Sequence, residues 1–432
     1  ALVLVFSALF VMPRLLRARV TTIPEWLEQR FDGRLRRYLS GTTVLLSIFL
    51  DTAGSLYAGA IVLMLFFPAL ELAPTCAAIA LFAGLYTAAG GLRAVAYTDV
   101  LQAVVLLLGS ALLALLVFER FDYSWSAVVD ALPAEKLSLL RPMDDPSLPW
   151  LGTLIGLPLL GFYYWTMNQY VSQRLLGARD VPTATRGALF AAVLKLLPLF
   201  LMVLPGAMAA ALFGDLERSD SVFPRLIAEF APVGVAGLIL AGLLAAIMSS
   251  VDSALNSSST LITLDFVAPR RAGMSTRSMA KFGRMITLIL VAIAAAWAPM
   301  IDRFPGLFAY LQQAFAYVTP PLVAVFLAGA FGRWLGARAA WRALVCGHAL
   351  SAAWFVATQL GWIALHFTLV AGVLFAATLL AAMAWQALLR EFPAEAQRDA
   401  SARGSFAAVP RGLRWGALAI SIAVLVLVVA FA

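Results

Sequence analysis

The chain has 432 residues, 62% of them hydrophobic and 12% charged, with a net charge of +8 and a mean hydropathy of +0.91. Soluble domains are about 45 to 50% apolar, so this composition excludes a soluble enzyme, a disordered tail and a secreted disulfide scaffold. The sequence is that of an integral membrane protein. Its two cysteines, Cys76 and Cys346, have no His or Cys at ligand spacing, so neither a zinc site nor a disulfide framework is predicted.

Apolar segments long enough to cross a bilayer recur along the whole chain. About 20 apolar residues are needed to cross a hydrocarbon layer of roughly 30 Å. By this criterion we predict eleven spans, near residues 38–66, 71–90, 97–118, 149–172, 184–213, 233–263, 283–301, 305–331, 340–361, 363–389 and 413–432. Residues 1–13 are equally apolar but too short to cross, and the chain starts on Ala, so we expect it to begin inside a twelfth helix; a signal peptide is the competing interpretation.

Basic residues lie mainly on one side of these spans. Of the 31 Lys and Arg, six lie in the loops of one side, Lys195 alone lies within a span, and 24 lie in the segments 14–37, 91–96, 173–187, 264–284, 332–342 and 390–414. The positive-inside rule assigns these segments to the cytoplasm. The net charge is therefore a topology signal, and no nucleic-acid partner is predicted.

Three charged residues lie in the middle of predicted spans, where a charge is costly and indicates a functional site by default. They are Asp51, Lys195 and Asp252. Either Asp51 and Lys195 form a structural pair that locks helices together, or Lys195 donates hydrogen bonds to a substrate in a polar cavity at the membrane midplane. Asp99 lies near a span end, where a solvated or capping role is easier.

The segment 246–260 has a polar face. Seven residues follow helical spacing on one side, with Asp252 at the edge: Ala246, Ser249, Ser250, Ser253, Asn256, Ser257 and Thr260. Hydroxyl oxygens, a freed backbone carbonyl and a carboxylate together suit sodium, whereas a site without Cys or His disfavours a transition metal. The alternative is a stripe of small polar residues that only packs against a neighbouring helix.

The predicted span near 149–172 is rich in helix-breaking residues. They are Gly152, Gly156, Pro158 and Gly161, and an aromatic run follows at 163–165. Glycine and proline within a span mark a break whose unpaired backbone groups must line a cavity. A simple proline kink is the alternative interpretation.

Four stretches carry a resemblance to a known family. They are TTIPEWLEQRF at 21–31, YTAAGGLRAVAYTDVLQ at 86–102, YYWTMNQYVSQRLLGA at 163–178 and AAIMSSVDSALNSSSTLITLD at 245–265. Their order and spacing resemble the sodium:solute symporter family, the group of the sodium/glucose cotransporters. The resemblance implies an all-α membrane protein with an inverted-repeat, leucine-transporter-like core. It assigns 1–331 to that core, starting within the second core helix and lacking the first, and 332–432 to additional C-terminal transmembrane helices.

The resemblance also implies two cation sites, with sodium as their only metal. The first uses the carbonyl of Ala246 and the hydroxyls of Ser249 and Ser250, with its remaining ligands in the first core helix. The second, known in some family members, involves Asp99, Ser249, Ser253 and the position held by Asp252. A carboxylate at 252 strengthens this second site electrostatically, but it suits a proton equally well.

For the solute, the resemblance is to the galactose-transporting branch of the family. Lys195 matches a sugar-contacting lysine, Gln312 matches a sugar-contacting glutamine, and Tyr164 matches the aromatic gate beneath the sugar. The position of that branch's asparagine ligand is Gly161, where this sequence departs from the galactose-like hydrogen-bond pattern.

The predicted function is sodium-coupled import of a small polar solute, a sugar or polyol, by alternating access. Sodium is the coupling ion, and no catalytic residue or organic cofactor is expected, since His348 and His366 have no adjacent catalytic motif. The alternatives are a symporter of another organic solute, such as an amino acid, sialic acid or a carboxylate, and a transporter-derived solute sensor. We expect a multi-pass protein of the cell membrane, in a bacterial inner membrane, with solute, sodium and the lipid bilayer as partners.

Overall fold

A computed structural model describes residues 1–214, 219–270, 273, 275–391, 393 and 406–431, with only the backbone for residues 86, 88–98, 219, 276 and 407. These ranges contain helices and no β-strand. The α-helices are α1 Leu2–Phe6, α2 Met12–Ala18, α3 Ile23–Arg30, α4 Gly33–Leu46, α5 Ala53–Phe66, α6 Leu72–Glu119, α7 Trp125–Ala131, α8 Ala134–Leu137, α9 Trp150–Phe162, α10 Gln169–Leu176, α11 Val181–Leu194, α12 Leu204–Phe213, α13 Val222–Phe230, α14 Val233–Leu261, α15 Thr276–Trp297, α16 Leu307–Phe331, α17 Ala337–Gln359, α18 Phe367–Leu389 and α19 Arg411–Ala430. Most of the predicted cytoplasmic segment 390–414 and part of 264–284 lie outside the described residues.

Eight helical segments in the described part of the chain are long and apolar enough to cross a membrane. They are Gly33–Phe66, Asp99–Glu119, Val181–Phe213, Val233–Arg270, Arg277–Arg303, Leu307–Phe331, Phe367–Leu389 and Arg411–Ala430. The prediction of a multi-pass membrane protein is confirmed. Several of these segments combine α-helix with a wider π-helical turn, as at Ser47–Thr52, which contains Asp51. Such turns occur frequently at functional sites.

The structure differs from the eleven predicted spans in three places. The spans near 71–90 and 97–118 form one continuous helix, α6, of 48 residues. The segment 91–96, which we predicted to lie between two spans, is helical, and Gly90 and Gly91 do not end the helix because a glycine inside a helix costs only about 1 kcal/mol. The span near 340–361 is helical as α17, yet its two arginines and His348 keep it outside the eight segments.

The third difference is the break expected within 149–172. Helix α9 continues through Pro158, and the regular helix gives way at the π-helical turn Tyr163–Met167. It stops at Asn168, which has an extended backbone and caps α10 by accepting a hydrogen bond from the Tyr170 N–H at 3.4 Å. The glycine and proline positions therefore did not locate the interruption, which falls beside the aromatic residues instead.

Gly152 and Gly156 have a packing role, because they let α9 approach α18 closely. A Cβ on Gly156 would lie 2.1 Å from the backbone oxygen of Thr368, and a Cβ on Gly152 would lie 1.9 Å from its hydroxyl. No real Cβ tolerates such distances, so a larger side chain at either position would push the two helices apart. Small residues at helix interfaces have this effect in many membrane proteins.

The chain divides into two units. Unit 1 comprises residues 1–42, 139–195 and 312–432, and unit 2 comprises residues 43–138 and 196–311. The predicted boundary at residue 331, between a transporter core and additional helices, comes from the family resemblance and not from contacts within the chain. It stays a prediction.

A buried arginine holds together part of unit 1. The Arg30 side chain is fully buried at the end of α3, and its guanidinium donates to the carbonyls of Gly329 at 2.9 Å, Gly332 at 2.9 Å and Leu335 at 3.2 Å. Gly329 lies in the last turn of α16, where a helix leaves backbone acceptors unpaired, and Gly332 and Leu335 lie in the segment that follows it. Burial lowers the pKa of Arg30 to about 10, so the side chain remains charged at neutral pH.

Unit 2 is organised around the contact between α6 and α14. A Cβ on Gly242 of α14 would lie 3.1 Å from Val105 of α6, and a Cβ on Gly109 of α6 would lie 3.1 Å from Ile239 of α14. The two backbones therefore run close together along several turns. This close approach brings polar side chains of the two helices into contact.

Candidate functional site

Two carboxylates on helices that contain candidate membrane spans lie near each other in unit 2. Asp252 on α14 is 1% exposed and accepts a hydrogen bond from the Thr87 hydroxyl of α6. Asp99 on α6 accepts one from the Ser249 hydroxyl of α14 and lies close enough to Asp252 to interact with it electrostatically. We call Asp99 and Asp252 the carboxylate pair. The structure thus brings together Asp99, Asp252 and Ser249 of the second predicted cation site.

Further oxygen atoms lie near the pair along the two helices. Ser253 follows Asp252 directly on α14 and is 1% exposed. Gln102 lies three residues after Asp99 on α6, and its buried side-chain oxygen has no hydrogen-bond partner in the described part of the chain. Residues three apart share a helix face, so this oxygen is available on the side of α6 that carries Asp99.

Sequence reasoning missed Thr87 and Gln102, although both lie in the stretch 86–102 that carries the family resemblance. Their polarity inside an apolar span was the available signal. Among the described residues no group of three or more His, Cys, Asp or Glu side chains comes together. The described side chains beside the carboxylate pair, Thr87, Ser249 and Ser253, carry neutral oxygens, and such oxygens with carboxylates suit a hard cation.

The first predicted sodium site is arranged differently. The Ser250 hydroxyl is exposed and donates to the Ala246 carbonyl at 3.1 Å, so these two groups lie together. Ser249, which belongs to both predicted sites, bonds Asp99 instead. Their assignment as sodium ligands stays a prediction.

The rest of the polar face of α14 is largely bonded within its own helix. Ser257 donates to the Ala254 carbonyl at 3.0 Å, and Thr260 donates to the Asn256 carbonyl at 2.8 Å. Such bonds to preceding carbonyls satisfy a hydroxyl without any partner helix. The polar face is therefore not uniform, because only part of it reaches α6.

The predicted solute residues all lie in unit 1, near the π-helical turn Tyr163–Met167. The Lys195 ammonium lies 4.2 Å from the centre of the Trp165 ring at the end of α11. The Tyr164 ring packs edge-on against Trp165 at 5.1 Å and against Phe315 at 6.0 Å. Gln312 lies three residues before Phe315 on α16, so it belongs to the same face of that helix.

These contacts bear on the two interpretations of Lys195. Within its own unit the ammonium forms no salt bridge with a described residue, and the Trp165 ring face is the contact it makes there. Cation–π contacts of this kind contribute about 0.5–2 kcal/mol, depending on how far the cation is desolvated. Asp51 belongs to unit 2, and its pairing with Lys195 stays a hypothesis.

A small side chain would fit at Gly161. A Cβ there would meet Val3 at 3.7 Å and Trp165 at 3.9 Å, which are ordinary van der Waals distances. The position lies one helical turn before Trp165. The departure from the galactose-like pattern therefore lies beside Trp165, an aromatic residue that Lys195 contacts.

Comparisons with known proteins agree with these features. The profile of the sodium:solute symporter family matches residues 1–347. The chain is 34% identical to the sodium/mannose cotransporter SLC5A10 of Bos taurus, over 81% of this chain and 64% of that protein. It is 33% identical to the sodium/myo-inositol cotransporter 2 of Sus scrofa, over 79% and 57%, and 33% identical to the sodium/glucose cotransporter 1 of Sus scrofa, over 80% and 58%. The chain thus spans less than two thirds of the length of these relatives.

Solved structures show the same fold. A Na+-coupled sialic acid symporter in a substrate-bound outward-open state has a TM-score of 0.73 at 20% identity, covering 91% of this chain and 84% of that one. Mhp1, a nucleobase-cation-symport-1 family transporter in a closed conformation, has a TM-score of 0.57 at 16% identity, covering 93% and 86%. The predicted leucine-transporter-like fold is confirmed. The chain belongs to the sodium:solute symporter family, and its curated relatives are transporters rather than enzymes.

Proposed function

We propose that the protein is a sodium-coupled symporter that imports a small polar solute, a sugar or polyol, by alternating access. The carboxylate pair carries this proposal, because it places two acids and hydroxyl oxygens together inside membrane spans. The names of the curated relatives, which are sodium cotransporters of mannose, myo-inositol and glucose, support the solute class.

Sodium binding would relieve the repulsion between the two carboxylates. Like charges in a low-dielectric environment disfavour joint ionisation, so a bound cation or a proton must compensate them. The hydroxyls of Ser249 and Ser253 and the side-chain oxygen of Gln102 would complete an all-oxygen shell. The proposed ion is sodium, and a proton is the competing occupant.

The solute would bind at the aromatic group of unit 1. Tyr164 and Trp165 offer ring faces and edges against which the C–H face of a sugar or inositol ring can pack. Lys195 and Gln312 would supply hydrogen-bond donors for its hydroxyls. Sodium binding in unit 2 would favour the solute-binding conformation only if the ion binds that conformation more tightly.

Uptake in proteoliposomes tests both parts of this proposal. The intact protein is expected to accumulate labelled mannose, myo-inositol or glucose under an inward sodium gradient, and not under a proton gradient of equal size. Ser249→Ala should raise the sodium concentration for half-maximal uptake, with Ser257→Ala as the matched control, because the Ser257 hydroxyl bonds its own helix. Uptake driven equally well by protons would refute sodium coupling.

A carboxylate-bearing solute such as sialic acid is the second candidate. It is favoured by Lys195, whose ammonium contacts a ring and no acid among the described residues of its unit. A solute carboxylate would supply the missing counter-charge. Competition separates the candidates: a neutral polyol and an organic acid are added in turn to the uptake assay, and the one that inhibits at the lower concentration identifies the solute class.

The proposal includes a location in the cell membrane. The multi-pass character is established by the eight candidate spans. The expectation of a bacterial inner membrane stays a prediction, since the relatives compared above are mammalian.

A further inference from the structure

A groove in unit 1 remains outside both proposed sites. It lies between the start of α19 and the first two helical segments of the chain, has a volume of about 510 Å³, and is open on one side. Its walls are almost entirely apolar, with Val5, Leu9, Leu418 and the aromatic residues Phe406 and Trp415. Two arginines, Arg411 and Arg414, lie at one end.

The two arginines are presented differently. Arg414 is held in place, because its guanidinium stacks 4.4 Å from the Phe406 ring centre and its Nε donates to the Val409 carbonyl at 2.8 Å. Arg411 is exposed and forms no ion pair in the described part of the chain. One positioned and one exposed cation thus line the same opening, and together they suit a phosphodiester better than a single charge does.

The groove is about as long as one leaflet of a bilayer is thick. From Arg411 to Ser421 it follows ten residues of α19, which at 1.5 Å per residue is about 15 Å. Half of a roughly 30 Å hydrocarbon layer has the same depth. The arginines lie at the end of a candidate span where basic residues mark the cytoplasmic side, and Trp415, which is 69% exposed, lies where membrane proteins place interfacial aromatics.

The bottom of the groove is well packed. Val5, Leu9 and Ala417 belong to a buried apolar cluster in which the start of the chain, α11 and α19 pack together. Elsewhere on α19, Ile422 and Val429 are exposed, as expected for a helix that faces lipid. An acyl chain that enters the groove would therefore move from one apolar environment to another. The two arginines at the charged end of the groove would then select the lipid by its headgroup.

We propose that this groove is a binding site for one anionic phospholipid of the cytoplasmic leaflet. The phosphate lies between Arg411 and Arg414, the glycerol region lies beside Trp415, and an acyl chain follows Leu9 and Leu418 toward Ser421. Basic pockets between membrane helices on the cytoplasmic side recognise anionic headgroups in this way. None of the proposed ion and solute residues lines the groove, so the lipid proposal does not depend on the symport proposal.

Native mass spectrometry of the purified protein tests the site, with dioleoyl phosphatidylglycerol and dioleoyl phosphatidylcholine as competing probes. We expect one phosphatidylglycerol to be retained at concentrations where phosphatidylcholine is lost. Arg411→Gln should weaken phosphatidylglycerol binding about fivefold, which is the expected contribution of one basic residue near anionic lipid. Arg338→Gln, which removes one exposed arginine at the start of α17, is the matched control and should leave binding unchanged.

A second variant tests the apolar wall, since Ser421→Leu fills the far end of the groove and should reduce retention of phosphatidylglycerol without changing the net charge. Inorganic phosphate and glycerol 3-phosphate are added as soluble competitors. Equal retention of the two lipids, equal effects of Arg411→Gln and Arg338→Gln, or displacement by the soluble phosphates at micromolar concentration would each overturn the proposal.

Discussion

Charged side chains are stabilised in opposite ways in the two units. In unit 2 the acids Asp99 and Asp252 lie together and each accepts a hydrogen bond from a hydroxyl. In unit 1 the cations are covered by neutral groups, Arg30 by three carbonyls and Lys195 by an indole ring. A cation beside carbonyls or a π face needs no bound ion, whereas two adjacent carboxylates need a cation or a proton to compensate their charge. We therefore propose that the coupling ion binds in unit 2 and that Arg30 is a structural anchor in unit 1.

The largest expected effect tests the anchor. Arg30→Met should destabilise the protein by about 3 to 5 kcal/mol, because it leaves three carbonyls at the end of α16 without a donor and removes a fully buried side chain. Chemical unfolding in detergent measures this loss. Arg34→Met is the control, since Arg34 is exposed and its ion pair is with the neighbouring Asp32, and it should change stability by less than about 1 kcal/mol. Equal losses of stability in Arg30→Met and Arg34→Met would refute the proposed structural role of Arg30.

The second prediction concerns the carboxylate pair. Asp252→Asn should raise the sodium concentration for half-maximal uptake about tenfold or more, the equivalent of at least about 1.4 kcal/mol, with little loss of stability because the amide still accepts from Thr87. Asp302→Asn is the matched control: Asp302 is also in unit 2 and accepts from the Tyr57 hydroxyl at 3.1 Å. Unchanged sodium dependence in Asp252→Asn would indicate a structural pair rather than an ion site.

A third prediction separates the solute role of Lys195 from a packing role. Lys195→Met should abolish measurable solute binding while the protein stays folded and binds sodium. In a double-mutant cycle with Trp165→Leu, the coupling in thermal unfolding should be about 0.5 to 2 kcal/mol, the size of one cation–π contact. The same cycle with Asp51→Leu should show no coupling. Large coupling with Asp51, and solute affinity intact in that double variant, would refute the solute role.

The smallest expected effect is a change in melting temperature with pH, caused by His366, which lies just before the candidate span Phe367–Leu389. Burial lowers the pKa of His366 from 6.5, although the Ser147 backbone and the Asp145 carboxylate oppose this shift. Its neutral ring caps α18, with Nδ1 accepting from the Thr368 N–H at 3.4 Å. The unfolded chain therefore takes up the proton first as the pH falls below about 6.5. The melting temperature should drop slightly between pH 7 and pH 5.

His366→Asn isolates this contribution, because asparagine also caps helices but does not titrate. Its melting temperature should stay flat over the same pH range. The neighbouring Asp145 does not interfere, since the Leu148 N–H first, and the Ser147 N–H and Arg141 after it, hold its pKa below 3.8. Its contribution is lost only as the pH falls below that value. A pH dependence that persists in His366→Asn would place the titrating group elsewhere.

Some features of the site were predictable because they depend on local patterns. Asp252 and Lys195 stood out as charges in apolar sequence, and the helical spacing of the polar face of α14 agrees with the observed helix. Thr87 and Gln102 did not stand out, because an isolated polar residue in a span carries no indication of its partner. The break in 149–172 was misplaced for a similar reason: glycines at 152 and 156 look like helix breakers in sequence but serve close packing against α18.

The sequence by itself determined the membrane class, the family and the charged residues that lie within apolar segments, since these follow from composition, periodicity and short motifs. Only the tertiary structure decided which hydroxyl meets which acid, that Ser249 turns to Asp99, and that Lys195 lies over Trp165. The physical reason is distance along the chain. Thr87 and Asp252 are separated by 165 positions, and no local rule relates them until α6 and α14 pack together.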